Sequence, residues 1–367
     1  MKPPFSQHGP KGLLCAMALV AATAAGAQPS IEQPSDWKAA NEAVGQFKRG
    51  HADLLKWEAA NGLASGPGDA APSGFPVPTP DAATRLAWRS HLDLQKVLPR
   101  LGQADAERIA QGRWLEVDVR QQRRVDGADE VFQVAAEARR AWYRAVAARQ
   151  ILRLQRESLE AAEAAAELGR RMVKVGNWSA YQQSRVELDL GAERRAQHRA
   201  GLAARQAERA LIHALQLNGV QERLALPDAL PDLPKQALTA AELGTGLAKI
   251  EAQLPRTEQW KLKSNFAQAL AARDATLGTA LSLRDEVMAQ RNLIVDESLL
   301  QYNGMLKSVW DLLTEVRARA QSQRETTEAI RDHWLAHTDL MWVLQGGEPT
   351  AFVTPGASAA GDAAAGH

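Results

Sequence analysis

Only one arrangement in this sequence has the spacing of a metal site: His333-Trp334-Leu335-Ala336-His337. Histidines four apart share a helix face and can ligate one ion together, and Asp332 and Asp339 lie close by. The commoner meaning of such a pair is an exposed polar helix face, so it stands as a weak metal candidate and no cofactor is assigned. His51, His91, His198, His213 and His367 stand singly. There is no phosphate loop, no GxGxxG, no GxSxG and no HExxH, and enzymatic chemistry is not expected. Arg139-Arg140, Arg170-Arg171 and Arg194-Arg195, interspersed with Glu, read as solvated charge on helix surfaces. Trp142 and Trp310 sit at helical spacing from other apolar residues and read as packing residues. Trp178 differs: it follows Gly176-Asn177 in a turn with little core to enter. It reads either as a docking residue or as packed against its own turn.

The elements that would position these residues are long helices. The chain has 367 residues, 44 Lys+Arg against 43 Asp+Glu, and a net charge of +1. Balanced charge argues against a general nucleic-acid binder. One cysteine excludes a disulfide framework and a Cys-rich metal site. Aromatics make only 5%, so Ala and Leu carry the apolar content, which suits long, thin helical packing. Gly12 to Ala22 has the length of a signal-peptide apolar region, and Ala25-Gly26-Ala27 supplies small residues for cleavage after Ala27. Acylation at Cys15 is the weaker alternative. Residues 28–61 read as helical, 62–80 as a Pro/Gly-rich linker, and Pro99 as a bend in the helix that starts at Asp81.

A helical repeat covers 81–226. Ala147, Ile151, Leu154, Ser158, Ala161, Ala165, Leu168, Met172 and Val175 alternate at four and three residues, a coiled-coil seam. Ala196, Ala200, Ala203, Ala207, Ala210, Ala214 and Leu217 keep the same alternation further on. Between them Val175-Gly176-Asn177-Trp178-Ser179 reads as a tight turn with Ser179 as N-cap, joining antiparallel arms ~60–70 Å long. A linker at 227–236 leads to a second repeat at 237–346, and 347–367 reads as a disordered tail. In the second repeat Val295, Leu299, Tyr302, Leu306, Val309, Leu313, Val316 and Ala320 form a seam that crosses Gly304 in phase. Pattern alone therefore allows either a turn there or one straight helix ~120 Å long. The fold class is all-α: two tandem long antiparallel helical hairpins with little or no β-barrel.

Four stretches resemble a known family: Ala141-Trp142-Tyr143-Arg144 through Arg171-Met172, the tip Gly176 to Ser179, the linker Leu226 to Pro234, and above all Leu299 to Leu313. They are similar to the TolC-like outer-membrane factors of tripartite efflux pumps, in particular the heavy-metal and copper-resistance branch. The resemblance spans most of Asp81 to Gly346 and favours the turn near Gly304. It implies a homotrimer whose hairpins form an α-helical tunnel, a periplasmic adaptor docked at the tips, an inner-membrane pump, and a place in the periplasm or outer membrane of a Gram-negative bacterium. It assigns adaptor docking to Arg171, Gly176, Asn177, Trp178, Ser179, Asn303, Gly304 and Met305. Tyr302 matches the gate tyrosine and Asp311 an acidic residue ringing the pore. Where the first hairpin of the family often has Asp, this chain has Gln182.

The larger departure is the barrel. A membrane strand needs about 9–11 alternating residues, and only Trp114-Leu-Glu-Val-Asp-Val-Arg120 alternates. An unpaired strand cannot sit in lipid. A second reading follows: a soluble periplasmic scaffold or regulatory protein derived from such a channel. A periplasmic adaptor would need a single hairpin between β-rich halves, a pattern this sequence lacks.

Overall fold

The computed structural model describes residues 74–234 and 238–354, all within one compact unit, Ala59–His367. The expected signal segment 1–27 with Cys15, the helical segment 28–61, linker residues 62–73 and tail residues 355–367 lie outside the described residues.

Helix α1 (Pro80–Ser90) starts where Thr79 accepts a hydrogen bond from the Ala82 amide at 3.0 Å and Pro80 fills the first turn, a position that needs no amide proton. Three short helices follow: α2 (Leu94–Leu101), α3 (Gln103–Ala110) and α4 (Val119–Arg124). Pro99 lies inside α2; the break comes earlier, at His91–Asp93. The alternating stretch Trp114–Arg120 is a 3₁₀ turn over Trp114–Glu116 followed by the start of α4. Trp114 is buried and donates its ring N–H to the Ile109 carbonyl at 2.7 Å, so its apolar side faces a helical core instead of lipid.

Helix α5 (Ala128–Lys174) is 47 residues long and α6 (Ala180–Ala214) 35, about 70 and 50 Å at 1.5 Å per residue. Helix α7 (Ala240–Glu251) precedes the second hairpin. That hairpin's first arm is α8 (Arg256–Ser282), a π turn (Leu283–Val287) and α9 (Met288–Asn303); its second is α10 (Val309–Val343). Among the described residues, β-structure is one parallel pair of two-residue strands, β1 (Phe75–Pro76) against β2 (Leu224–Ala225). No described helix is long and apolar enough to cross a membrane.

The long helices stand in a row: α6 packs on α5, α5 on α10, and α10 on α8 and α9. The main core sits at the base, where α1 to α4, α7 and the near ends of α5, α8 and α10 meet. Aromatics gather there. Trp114 meets Phe132 edge-on at 5.5 Å, and Trp142 meets Tyr143 at 5.4 Å. Each buried indole has a carbonyl for its N–H: Trp88 to Val131 at 3.1 Å and Trp142 to Val77 at 2.9 Å. An indole buried without a partner would forfeit about 1–3 kcal/mol.

Further out the core thins to small residues. Ala162, Ala166 and Leu190 form a separate cluster with Leu159 and Val186. The Ala-rich stripe of α6 packs only in part: Ala203 and Ala210 are exposed, Ala196, Ala200, Ala207 and Ala214 are half-buried and Leu217 is buried, while Leu190 and Leu211 are turned fully inward. Larger apolar side chains decide which stripe is buried, because they remove more area from water than alanine does. Ala162→Leu should therefore cost about 1–3 kcal/mol by overpacking, and Ala203→Leu about nothing, as read from denaturation midpoints.

Candidate functional site

The two hairpin tips are one backbone design used twice. In the first, α5 closes with the Gly176 amide donating to Val173 O at 2.9 Å and the Asn177 amide to Met172 O at 2.9 Å. In the second, the Met305 amide donates to Tyr302 O at 2.9 Å and the Leu306 amide to Gln301 O at 2.8 Å. Both patterns end a helix on a left-handed residue. The next helix then starts on a capping box. Ser179 and Gln182 exchange bonds at 3.3 and 2.9 Å, and Ser308 and Asp311 at 3.2 and 3.0 Å.

Superposing the caps sets Met305, one residue past Gly304, against Gly176. Gly176 is left-handed, with φ 78°, but its counterpart is Met305, with φ 58°. Gly304 has φ −81° and matches Val175, with φ −93°. The capping serine, not the glycine, sets the register of the turn. Gly304→Val should thus be tolerated within about 0.5 kcal/mol, since its added Cβ meets only ordinary contacts of 3.5–3.9 Å. Gly176→Val should cost about 1–3 kcal/mol in strain, and Met305→Gly should relieve about 1 kcal/mol. Denaturation midpoints of the three variants check the order.

Trp178 joins the two tips. Its ring lies 4.3 Å from that of Trp310, tilted by 32°, and Gly169 leaves room for it, because a Cβ there would come within 3.1 Å of the indole. So Trp178 is half-buried between the hairpins. Arg317 on α10 adds ion pairs to Asp189 at 3.4 Å and Glu193 at 3.2 Å on α6. What the tips expose is apolar: Met305 is 94% and Leu306 81% accessible, with Val175, Tyr181, Leu300 and Tyr302 also exposed. Arg171 is exposed and paired to Glu167 at 2.8 Å. Asn177, Ser179 and Asn303 are exposed.

Tyr302 and Asp311 stand on opposite arms of the second tip. Asp311 accepts from the Ser308 hydroxyl at 2.7 Å and from its amide, and these bonds hold its carboxyl below the usual range. Its charge is therefore retained at neutral pH on an exposed surface. Gln182 occupies the equivalent place in the first tip and makes the equivalent cap.

The histidine pair corrects another expectation. His333 is buried, not on an exposed face, and its ring lies 6.1 Å from that of His337. Trp334 between them stacks on Tyr143 at 5.6 Å and donates to Pro231 O at 3.1 Å. Burial, with Arg273 beside it, pushes His333 down to about 4; burial, His333, Arg273 and Arg139 push His337 down to about 3. Among the described residues no three His, Cys, Asp or Glu side chains gather to hold a metal. Histidines with folded values below the unfolded 6.5 stay neutral while the unfolded chain takes up protons. Stability should fall as pH drops from about 6.5 toward 4, by up to about 1.4 kcal/mol per unit for each histidine. Urea titrations across that window should lose slope in His333→Gln.

Arg139 and Arg140 are likewise not solvated. Arg139 reaches Asp81 at 2.9 Å and the Ala110 carbonyl at 2.7 Å. Arg140 pairs with Asp339 of α10 and lies 4.9 Å over the Trp342 ring. The signal was present: Arg139 falls four after Ala135 and three before Trp142, on the buried face of α5.

No protein-family model matches the chain, and no curated protein sequence does. Among solved structures it is similar to the CmeC outer membrane channel of Campylobacter jejuni, at 10% identity over 66% of this chain and 68% of that one, TM-score 0.49. It is also similar to CusC, described as forming a transmembrane channel, at 11% over 66% and 74%, TM-score 0.45. A membrane protein from Pseudomonas aeruginosa gives 15% over 66% and 73%, TM-score 0.47. The described residues themselves form two tandem helical hairpins above short helices, with one pair of two-residue strands and no barrel strands.

Proposed function

We propose that this chain is an outer-membrane-factor-like component of a tripartite efflux system that docks a periplasmic adaptor through its hairpin tips. The observation that supports this is the pairing of the tips. Two equivalent turns, clamped side by side by Trp178 and Trp310, present Met305 and Leu306 to solvent. Exposed apolar side chains on a rigid frame are what a partner can bury at little ordering cost. In a homotrimer, three copies of Asp311 would surround one axis and favour cations over anions, in keeping with heavy-metal export. A photo-crosslinking residue at Met305 should capture an adaptor in living cells, and one at Ala203, far along α6, should not. Equal capture at both positions, or at neither, would count against tip docking.

The second reading is a periplasmic scaffold or regulator that binds efflux partners without forming a pore. The helices α2 to α4, standing where barrel strands would be needed, favour it. Carbonate extraction separates the two: a heat-modifiable outer-membrane trimer supports the pore, and full recovery in the soluble periplasm supports the scaffold.

A further inference from the structure

Two Asn-Gly pairs fall among the described residues, Asn218-Gly219 and Asn303-Gly304. In such a pair the backbone nitrogen of the glycine can attack the asparagine side-chain carbonyl, because no Cβ holds it off. Asparagine is thermolabile for this kind of reason. The two pairs share the chemistry and differ in their backbone.

Asn303 ends α9, and the Gly304 amide donates to the Leu300 carbonyl at 2.9 Å. Attack there first requires breaking that helix bond. Asn218 lies past α6, in the turn from Leu217 to Val220, which closes with the Val220 amide on the Leu217 carbonyl at 3.0 Å. Gly219, third in the turn, is left-handed with φ 77°, and Asn218 is not, the pattern of a type II turn. The peptide between these two residues is the one such a turn leaves free. The Gly219 amide makes no hydrogen bond, and both residues are exposed. Nothing stands within 4 Å of where a Gly219 Cβ would be.

We infer that Asn218 is a site of spontaneous deamidation in the folded chain, and that Asn303, at the tip, is protected from it. The Gly219 nitrogen gives its proton to solvent and attacks Cγ of Asn218. An N–Cγ bond forms and the Cγ–Nδ2 bond breaks. The side-chain nitrogen takes a proton from water and leaves as ammonia. A second water then opens the cyclic imide at either carbonyl, giving aspartate or isoaspartate. Either product adds a negative charge, and isoaspartate puts one extra carbon into the backbone of the turn.

That turn leads into a tight clasp at the base. The Phe75 and Val77 amides donate to the Arg223 and Ala225 carbonyls at 3.0 Å. Gly74 lies so near that a Cβ would come within 2.8 Å of the Leu224 carbonyl carbon. The Val77 carbonyl in turn accepts from Trp142 of α5. Just before the turn, Gln216 reaches His91 at 2.9 Å. A lengthened turn shifts these partners out of register, so conversion loosens the base and leaves the tips unchanged.

Peptide mass mapping of the full-length chain, incubated in mildly alkaline buffer made with heavy-oxygen water, tests the site. Asn218 should take up label at least about tenfold faster than Asn303, and the two should convert alike in denaturant, where the helix bond is gone. An unconverted Asn218, or an Asn303 that converts as fast in the folded chain, would overturn the inference. Hydrogen exchange then reads the clasp. The Phe75 and Val77 amides should exchange faster in the incubated chain than in the fresh one. They should stay as slow in incubated Asn218→Gln, whose longer side chain closes the imide poorly. Unchanged exchange after conversion, or the same rise in Asn218→Gln, would refute the loosening of the base.

Discussion

Helix α5 packs against α10 along most of its length, and each hairpin contributes one of the two. Without that contact the chain would be two separate rods. At the base the contact is polar: Arg140 of α5 is paired with Asp339 of α10 and lies over Trp342. Burial works against the charge of Asp339, raising its pKa, and the nearby arginines oppose that shift. A buried pair of this kind adds little net stability but is costly to mismatch. It therefore fixes the register of one long helix against the other, something a seam of alanines, serines and threonines does poorly because each offset packs about as well. At the far end Trp178 and Trp310 make the second fixed point. Two pins at the ends of a smooth rail define one alignment.

The hairpins themselves were legible because their signals are local. A left-handed glycine, a serine cap and a run without proline between Arg100 and Leu226 each act within a few residues. What could not be read was which stripe of a helix faces inward. On α6 the alternation of alanines lies along the margin of the buried face, half-buried at Ala196, Ala200, Ala207 and Ala214 and exposed at Ala203 and Ala210, and only the partner helix decides how far each is covered. The same limit hid His333 and the Arg139–Arg140 pair. A polar residue on an amphipathic helix reads as solvated unless its phase is compared with distant apolar positions, and its partners, Asp81 and Asp339, are far away in sequence. The second tip shows a subtler limit. The turn near Gly304 was visible, but the left-handed residue was not glycine, because Ser308 and Asp311 dictate where the helix must restart and the preceding backbone complies.

The low aromatic content also takes on a definite meaning. Among the described residues the rings are not diluted evenly along the arms. They sit at the base, where Trp114, Phe132, Trp142 and Tyr143 make a core of ordinary thickness, and at the tips, where two indoles meet. Between these ends the arms rely on alanine, whose small side chain lets helix axes come close but contributes little buried area per residue. The middle of the molecule is stiff through hydrogen-bonded backbone and weak through packing, so it depends on its two ends.

The base has an order of events built into it. Gln122 donates to the Gln345 carbonyl across 223 positions of sequence, and Gln345 returns a bond to Trp114 across 231. Each hairpin, by contrast, joins neighbours across a short turn. Loop closure over such distances is slow relative to local pairing, and a chain delivered from its N-terminus cannot make these contacts until Gln345, just past α10, has arrived. The first hairpin must therefore exist for a time with the base side of Trp114 unsealed, exposing an apolar surface that only the end of the chain can cover.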